Sequence, residues 1–221
     1  MRLQRGLYVI TDNALGGQLL PAVEQALLGG AVMVQYRDKS ADPVRRLQEA
    51  RDLLVLCRRY QRPLLINDDV ALALAVGADG VHLGRSDGSL VAARQQLGEG
   101  AIIGATCHDS LEFAAEAAVA GADYLAFGAM YPSGTKPGAR RADPSLLGEA
   151  KSRFGLPVVA IGGINTDNAP GLIAAGADNL AVINDIFGYP LDEIRSRAAV
   201  YHGLFACPPA GRASARQQTP N

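Results

Sequence analysis

The sequence lacks tryptophan and is poor in aromatic residues, which make up 5% of its 221 residues, whereas 48% of the residues are hydrophobic. A core without large rings has to be built from Ala, Val, Leu and Ile, and that mixture favours buried parallel strands covered by helices. A chain of this length that folds as one domain buries roughly 70% of the surface that its unfolded form exposes. We therefore expect a sizeable aliphatic core in an α/β protein.

An excess of charge of either sign is also missing. The chain carries 21 basic and 22 acidic side chains, which gives a formal net charge of -1 at pH 7. Proteins whose main function is to bind nucleic acids usually carry a basic patch and a positive balance. The charge therefore argues against nucleic-acid binding as the main function.

Paired cysteines and long apolar runs are absent as well. Cys57, Cys107 and Cys207 form no CxxC motif, and an odd number of cysteines leaves one unpaired in any disulfide scheme. The apolar run from Leu7 to Ile10 is too short for the core of a signal peptide, and no run approaches the roughly 18 apolar residues that cross a bilayer. We expect reduced thiols, no membrane association and a cytoplasmic location.

The sequence does contain a regular alternation of short β-branched runs and longer segments with helical periodicity. One such segment covers residues 43–61, where Val44, Leu47, Leu54 and Cys57 or Val55 recur at helical spacing. Strands that alternate with helices predict a parallel sheet with right-handed crossovers. The eight runs are GLYVITD (6–12), AVMVQYRDK (31–39), PLLINDD (63–69), DGVHLG (79–84), AIIGATC (101–107), DYLAFGAMY (123–131), PVVAIGGI (157–164) and NLAVIND (179–185).

A weak internal repeat precedes every second run. Glycine ends a helix at low steric cost, so each repeat marks the end of a helix. With residues 207–221 as a disordered tail, residues 1–206 give about 26 residues for each of eight units. This length fits a single (β/α)8 TIM barrel with parallel strands, and an open doubly wound sheet is the alternative. The repeats are Gly29-Gly30-Ala31, Gly77-Ala78-Asp79, Gly121-Ala122-Asp123 and Gly176-Ala177-Asp178.

Polar residues end most of the apolar runs, at the edge where a (β/α)8 barrel carries its active site. Gln35, Arg37 and Lys39 alternate along the second run, so their side chains point to the same side. These residues predict an active site at this edge, and the alternative is a solvated rim of surface ion pairs. Other polar residues at the ends of the runs are Asn67, Asp68, Asp69, His82, Asp87, Thr106, Cys107, His108, Asn165, Asn184 and Asp185.

Two features of this edge predict binding of a metal and a phosphate. Asp68 and Asp87 form a candidate Mg2+ pair, because Mg2+ prefers oxygen ligands and is often bound by one or two carboxylates together with substrate phosphates. Capping of the following helices is the alternative role for these aspartates. Gly162-Gly163, followed by Thr166-Asp167, predicts backbone N–H groups at a helix start that could cradle a phosphate.

Three other patterns carry little weight. Gly84-Arg85-Ser86-Asp87-Gly88 matches the GxSxG pattern of hydrolases, but the match is short and that chemistry does not require an aspartate after the serine. Cys107 and His108 are adjacent in a strand and so point to opposite faces, which argues against a thiolate–imidazole pair. The three histidines have no zinc-ligand spacing.

The residues resemble the thiamine-phosphate synthase family along nearly the whole chain outside the tail. The matching segments are LYVITD, VQYRDK, LINDDVALALAVGADGVHLGRSD, IIGATCH, YLAFGAMYPSGTK, VVAIGGI and GADNLAVINDIF. The resemblance implies a (β/α)8 transferase that joins 4-amino-2-methyl-5-hydroxymethylpyrimidine diphosphate to a thiazole phosphate. The products would be thiamine phosphate and pyrophosphate, with CO2 released in addition from a carboxylated thiazole. The reaction would be a dissociative displacement assisted by one Mg2+ ion per active site.

The resemblance also implies individual roles. The pyrimidine diphosphate would be bound by Gln35, Arg37, Lys39, Asn67, Thr106 and Lys136, and the thiazole phosphate by Ser133, Thr135, Gly163, Ile183 and Asn184. Arg37, Lys39, Thr106 and Lys136 would be the catalytic residues, and Asp68 and Asp87 the metal ligands.

The sequence departs from the family pattern at five positions. Asp38 stands for Glu and Ser133 for Thr, which keeps the chemistry. Asn184 stands where serine is common, so only a backbone contact to the phosphate is expected there. Tyr36 and Asp69 replace more usual residues, and Asp69 either competes as a metal ligand or caps the next helix.

Two other functions stay open at this point. A related barrel, a thiazole tautomerase, would need the thiazole phosphate pocket but neither metal carboxylates nor a diphosphate clamp. A non-catalytic barrel would bind a phosphorylated metabolite without turning it over. Because family members commonly associate, a homodimer is expected.

Overall fold

The computed structural model describes residues 3–132 and 140–206, in which parallel strands alternate with helices. The strands are β1 (Gly6–Ile10), β2 (Met33–Tyr36), β3 (Leu64–Asn67), β4 (Gly80–Leu83), β5 (Ile102–His108), β6 (Tyr124–Phe127), β7 (Val158–Ile161) and β8 (Asn179–Val182). A 3-10 helix covers Asn13–Gln18, and the α-helices are α1 (Leu19–Leu28), α2 (Pro43–Arg59), α3 (Val70–Val76), α4 (Leu90–Leu97), α5 (Leu111–Val119), α6 (Ser145–Phe154), α7 (Ala169–Ala174), α8 (Asn184–Phe187) and α9 (Leu191–Ala206).

The eight strands close into a barrel in sequence order. Closure is made by β1, which pairs in parallel with β2 on one side and with β8 on the other. The predicted (β/α)8 barrel is therefore confirmed, and the open doubly wound sheet is excluded. Each predicted apolar run carries one strand, although β5 extends one residue beyond its run, to His108. In most runs the residues that follow the strand belong to the loop at its carboxyl end.

The core has two layers because successive side chains of a strand point to opposite faces. Leu7 and Val9 of β1 pack outward against the helices, whereas Tyr8 and Ile10 point into the barrel. The outer layer is mostly aliphatic, as the composition predicts. The barrel interior differs, since Tyr8 and Tyr124 are among its largest fully buried side chains.

The aspartates of the internal repeat close the amino-terminal end of the barrel. The Oδ2 atoms of Asp79, Asp123 and Asp178 accept hydrogen bonds from backbone N–H groups near the starts of β3, β5 and β7, at 2.8, 2.7 and 3.1 Å. The donors are Leu64, Ile103 and Val158. In the first repeat Gly30 and Ala31 correspond to Gly77 and Ala78, so Val32 stands at the position of the aspartate. The repeat glycines have the expected left-handed backbone, with φ between 71° and 115° at Gly30, Gly77, Gly121 and Gly176.

The predicted buried face of α2 was partly wrong. Leu54 and Cys57 are buried, but Val44 and Val55 are 78% and 63% exposed. Val55 lies about 100° around the helix from Leu54, so both cannot face the barrel. The buried face continues instead through Ala50 and Leu53.

Residues 207–221, predicted to form a disordered tail, lie outside the described residues, and the predicted single domain over residues 1–206 stays a prediction. Among the helices of residues 3–132 and 140–206, none combines the length and the apolarity needed to cross a membrane.

Candidate active site

A cavity of about 720 Å³ opens at the carboxyl ends of the strands and receives side chains from all eight of them. Every predicted site residue within the described parts of the chain lines it: Gln35, Arg37, Lys39, Asn67, Asp68, Asp87, Thr106, Gly163, Ile183 and Asn184. Ser133, Thr135 and Lys136 lie outside the described residues. The structure thus brings these ten residues together, and their individual roles stay predictions.

The segment that carries Arg37 and Lys39 is held by residues that follow β1. The hydroxyl oxygen of Thr11 accepts a hydrogen bond from the Arg37 backbone N–H at 2.9 Å and lies 3.4 Å from the Arg37 carbonyl oxygen, to which it donates. Asn13 Oδ1 accepts from the Lys39 backbone N–H at 3.2 Å. Sequence reasoning did not assign a role to Thr11 or Asn13, whose contacts cross from one strand end to the next.

Tyr36 and Asp38 alternate with the cavity residues and face α2. The Tyr36 hydroxyl donates to Glu49 at 2.7 Å, and Arg45 donates to the Asp38 carboxylate at 2.7 Å. Burial raises the pKa of Asp38, but hydrogen bonds from Ser40 and the Arg45 guanidinium outweigh it and lower this pKa below its ordinary value. Tyr36 and Asp38, which both depart from the family pattern, therefore lie on the side of β2 that faces α2 and not the cavity.

Neither Asp68 nor Asp87 caps a helix. The cap of α3 is Asp69, whose carboxylate accepts from the Leu72 N–H at 2.8 Å, and the cap of α4 is Ser89. Asp69 also pairs with Arg46 at 2.8 Å and does not line the cavity. The open question about Asp69 is thus resolved in favour of capping.

The donor set around Asp68 and Asp87 fits a hard cation. Asp68 has a left-handed backbone with φ of 61° and accepts a hydrogen bond from the Asn67 amide at 2.6 Å. The Asp87 carboxylate occupies the space beside Gly84, where a Cβ atom would lie only 2.1 Å from Asp87 Oδ2. Two carboxylates suffice for Mg2+ that keeps waters and substrate phosphates as further ligands.

Larger metal clusters are a separate matter. The described parts of the chain contain no group of three or more His, Cys, Asp or Glu side chains arranged to hold a metal ion.

A chain of buried hydrogen bonds crosses the floor of the cavity. Gln35 Nε2 donates to the Tyr8 hydroxyl, which lies 3.0 Å from the Tyr124 hydroxyl. His82 Nδ1 lies 2.8 Å from the Tyr124 hydroxyl, and His82 Nε2 lies 2.8 Å from Thr106 Oγ1. Burial raises the pKa of both tyrosines, so their hydroxyls stay protonated. Gln35 and Thr106, which the resemblance places beside the pyrimidine, are connected through three residues without a predicted role.

The loops after β7 and β8 form another wall of the cavity. The structure there differs from the prediction that a helix start at Thr166-Asp167 offers its N–H groups to a phosphate. Helix α7 begins at Ala169, and Asn165 Oδ1 accepts from the N–H groups of Asp167 and Asn168 at 3.1 and 3.0 Å. The Asp167 N–H is thus already used and does not cradle a phosphate. Gly163 has φ of 63°, and a Cβ there would lie 2.4 Å from the Pro132 carbonyl oxygen.

The other side of this wall is the start of α8. Ile183 precedes its first residue, Asn184, and the backbone N–H groups of a first helical turn point away from the helix. The next residue, Asp185, is held from behind by Arg197 at 2.6 Å and by the Tyr201 hydroxyl at 2.7 Å. Gly163, Ile183 and Asn184 thus form one wall of the cavity.

Cys107 and His108 lie on opposite faces, as predicted. His108 lines the cavity, whereas Cys107 is fully buried among the core side chains. Burial raises the pKa of the Cys107 thiol to about 12. A thiol in this environment is not a thiolate nucleophile at neutral pH.

Comparison with known proteins identifies the family. The sequence profile described as thiamine monophosphate synthase matches residues 7–186. The chain belongs to the thiamine monophosphate synthase family. It is therefore a transferase, and its family implies small-molecule substrates.

Similar proteins cover nearly the whole chain. A thiamine-phosphate synthase from Azoarcus sp. is 57% identical over 203 residues, which are 91% of this chain and 98% of the relative. A thiamine-phosphate synthase from Marinobacter nauticus is 54% identical over 207 residues, 93% of each chain. The structure of a thiamine phosphate pyrophosphorylase from Pyrococcus furiosus matches with a TM-score of 0.83 at 36% identity, over 93% of this chain and 97% of the other.

Proposed function

We propose that this enzyme joins 4-amino-2-methyl-5-hydroxymethylpyrimidine diphosphate to a thiazole phosphate, or to its carboxylated form, and so makes thiamine phosphate. The observation that carries the proposal is the placement of cations and carboxylates on one wall of the cavity, with Gly163 and Asn184 on another. A diphosphate group matches the first wall and a second phosphate the other. The cavity volume of about 720 Å³ lies within the roughly 300–1,000 Å³ typical of small-molecule sites.

The bonds that change need no covalent intermediate with the protein. The C–O bond between the pyrimidine methylene carbon and the diphosphate breaks, and its electron pair leaves with pyrophosphate. The thiazole nitrogen supplies the electron pair of the new C–N bond. A carboxylated thiazole additionally loses CO2, and the electron pair of the broken C–C bond stays with the thiazole part, which takes up a proton from water. In a dissociative displacement, C–O cleavage runs ahead of C–N formation, and the aminopyrimidine stabilises the positive charge.

The protein's main task in this reaction is to stabilise negative charge on the leaving diphosphate. Thr11 and Asn13 hold the backbone of Arg37 and Lys39 after β2, so the segment that carries these cations is ordered before the charge develops. Preorganised groups of this kind stabilise a transition state more than they stabilise the bound substrate. Lys136 would act with them, and the wall around Gly163 would hold the nucleophile in line.

Asp68 and Asp87 would hold one Mg2+ ion per active site. When bound, this ion supplies positive charge at the oxygens of the leaving diphosphate. Asn67 orients Asp68 through its 2.6 Å hydrogen bond, and Gly84 leaves space for the carboxylate of Asp87.

A matched pair of variants tests the metal assignment. In Asp87→Asn we expect turnover to fall by at least about 100-fold, on the scale of losing one preorganised electrostatic group. In Asp69→Asn we expect turnover near wild type, because asparagine also caps helices well. Lys136→Ala should lose about 2–4 kcal/mol of transition-state stabilisation. Near-wild-type activity in both Asp87→Asn and Lys136→Ala would overturn the assignment.

The two alternative functions give different products. A thiazole tautomerase would convert the thiazole phosphate alone, and a non-catalytic barrel would bind both substrates without product. Neither explains why two carboxylates without a capping role face the cavity together with Arg37 and Lys39. The homodimer and the cytoplasmic location also remain proposals, and sedimentation of the purified chain tests the first of them.

A further inference from the structure

The hydrogen-bond chain on the cavity floor has a direction that can be worked out from its donors and acceptors. It runs from Gln35 through Tyr8, Tyr124 and His82 to Thr106, across four other strands of the barrel. An amide nitrogen only donates, so the Tyr8 oxygen accepts the hydrogen bond from Gln35 Nε2. Each tyrosine hydroxyl then has one proton left to donate.

The burial of Tyr8 decides which way that proton points. Tyr8 is 1% exposed, and its hydroxyl has two hydrogen-bond partners among the described residues, Gln35 and Tyr124. If Tyr124 donated to Tyr8, the Tyr8 proton would have no acceptor among these two partners. A buried donor without an acceptor costs free energy, so Tyr8 donates to Tyr124.

The remaining steps follow from this one. Tyr124 accepts from Tyr8, so it donates its own proton to His82 Nδ1. Neutral histidine with an accepting Nδ1 carries its proton on Nε2, and Nε2 therefore donates to Thr106 Oγ1. The Thr106 hydroxyl already accepts one hydrogen bond, and its own proton is left to donate into the cavity that it lines.

We propose that His82 is a positioning residue that makes Thr106 a hydrogen-bond donor toward a ring nitrogen of the bound aminopyrimidine. At the opposite end, Gln35 uses Nε2 for Tyr8 and presents its carbonyl oxygen as an acceptor for the amino group. The floor therefore selects a ring with an amino donor and an acceptor nitrogen. This inference rests on the proposed function for the identity of the ring. The direction of the hydrogen bonds from Gln35 to Thr106 does not depend on that function.

The proton on His82 can be observed directly without any assay of activity. The chain has three histidines, so the His82 signals of the 15N-labelled full chain are assigned by their loss in His82→Gln. We expect a one-bond N–H coupling at His82 Nε2 and none at Nδ1. A proton on Nδ1 would reverse the direction of the hydrogen bonds from Gln35 to Thr106. This result would overturn the inference, even in an enzyme that makes thiamine phosphate. Absence of thiamine phosphate from the wild type would instead refute the proposed function.

A double-mutant cycle tests whether His82 acts through Thr106. We expect His82→Leu and Thr106→Val each to lower kcat/KM for the pyrimidine diphosphate by about tenfold, on the scale of one hydrogen bond, with KM for the thiazole phosphate unchanged. The double variant should be no worse than either single variant, and independent effects that multiply would overturn the inference. Thr106→Ser keeps the hydroxyl and should restore activity.

Substrate analogues and a matched tyrosine pair complete the test. A 4-oxo analogue of the pyrimidine diphosphate presents an acceptor in place of the amino donor, so the wild type should reject it, and preference for it would overturn the inference. Tyr124→Phe removes the donor to His82 Nδ1 and should lower kcat/KM for the pyrimidine diphosphate severalfold. Tyr60→Phe removes a hydroxyl that donates to Glu24 away from the cavity and should leave kcat/KM unchanged.

Discussion

The hydroxyl oxygen of Thr11 accepts a hydrogen bond from the Arg37 backbone N–H at 2.9 Å, and the same hydroxyl donates to the Arg37 carbonyl oxygen at 3.4 Å. The end of one strand thereby fixes the segment that carries the cations of the next. Because Thr11 is 1% exposed, this contact is shielded from water.

Thr11→Val should therefore weaken binding of the diphosphate by Arg37 and Lys39 while the barrel stays folded. Valine keeps the shape of threonine but cannot hydrogen-bond, so we expect kcat/KM for the pyrimidine diphosphate to fall about tenfold. Steady-state kinetics with each substrate varied in turn measures this. Thr11→Ser is the control and should stay near wild type, and equal activity of the serine and valine variants would contradict the account.

Gly84→Ala should impair the magnesium site more than the fold. A Cβ at this position would lie 2.1 Å from Asp87 Oδ2, so the Asp87 carboxylate would have to shift. We expect the Mg2+ concentration for half-maximal activity to rise at least about tenfold, because a displaced carboxylate loses its ligand geometry. Gly100→Ala is the control, since nothing lies within 4 Å of its Cβ position. An unchanged Mg2+ requirement in Gly84→Ala would contradict the assignment of Asp87.

Asp178→Ala should destabilise the barrel without touching the cavity. The side chain of Asp178 is 10% exposed, accepts the first backbone N–H of β7 and pairs with Lys151 at 2.6 Å. Its removal leaves a buried N–H without a partner, so we expect the free energy of unfolding to fall by about 3 kcal/mol in urea titrations. Asp192→Ala, at an exposed position of α9, should change it by less than about 1 kcal/mol. Equal effects of the two variants would refute the role of the repeat aspartates.

Asp38 predicts a specific pH dependence of stability. Its folded pKa lies below the unfolded value of about 3.9. The charged form therefore contributes stability above that value, and the contribution is lost as the pH falls through the lower folded pKa. We expect Asp38→Asn to unfold more easily than wild type at pH 7 and to converge with it at acid pH. Urea midpoints from pH 7 to pH 2 measure this, and a constant difference over that range would contradict it.

Cys107 should be unreactive and dispensable for turnover. With its pKa raised to about 12, roughly one thiol in ten thousand is ionised at pH 8. We expect alkylation of native Cys107 to be slow by mass spectrometry and Cys107→Ala to keep near-wild-type turnover. Rapid alkylation of Cys107 that abolishes activity would contradict this prediction and support a nucleophilic role for its thiol.

The barrel was predictable because its signals are local. Each β-branched run carries its strand, and the glycine repeats end their helices in the expected backbone conformation. The buried face of α2 was less predictable, because the valines at positions 44 and 55 are apolar but exposed. Hydrophobicity alone does not show which side of a helix meets the barrel.

The polar residues at the rim of the candidate site could be predicted from the sequence, but the buried hydrogen bonds beneath them could not. Polar residues such as Arg37 and Asp68 stand out at the ends of apolar runs, whereas Tyr8 and Tyr124 look like ordinary strand residues. Their hydroxyls meet only when β1 and β6 face each other across the closed barrel, 116 residues apart in sequence. Likewise, the sequence places Asp68 and Asp69 side by side, and only the backbone conformation assigns one to the cavity and the other to the helix cap.

The most direct test of the account is formation of thiamine phosphate by the purified full-length chain. The pyrimidine diphosphate and the thiazole phosphate are mixed with enzyme and Mg2+, with and without excess EDTA, and the products are separated by chromatography. We expect stoichiometric thiamine phosphate and pyrophosphate with Mg2+, and loss of both products with EDTA. Conversion of the thiazole phosphate alone, binding without product, or product formation unaffected by EDTA would contradict it.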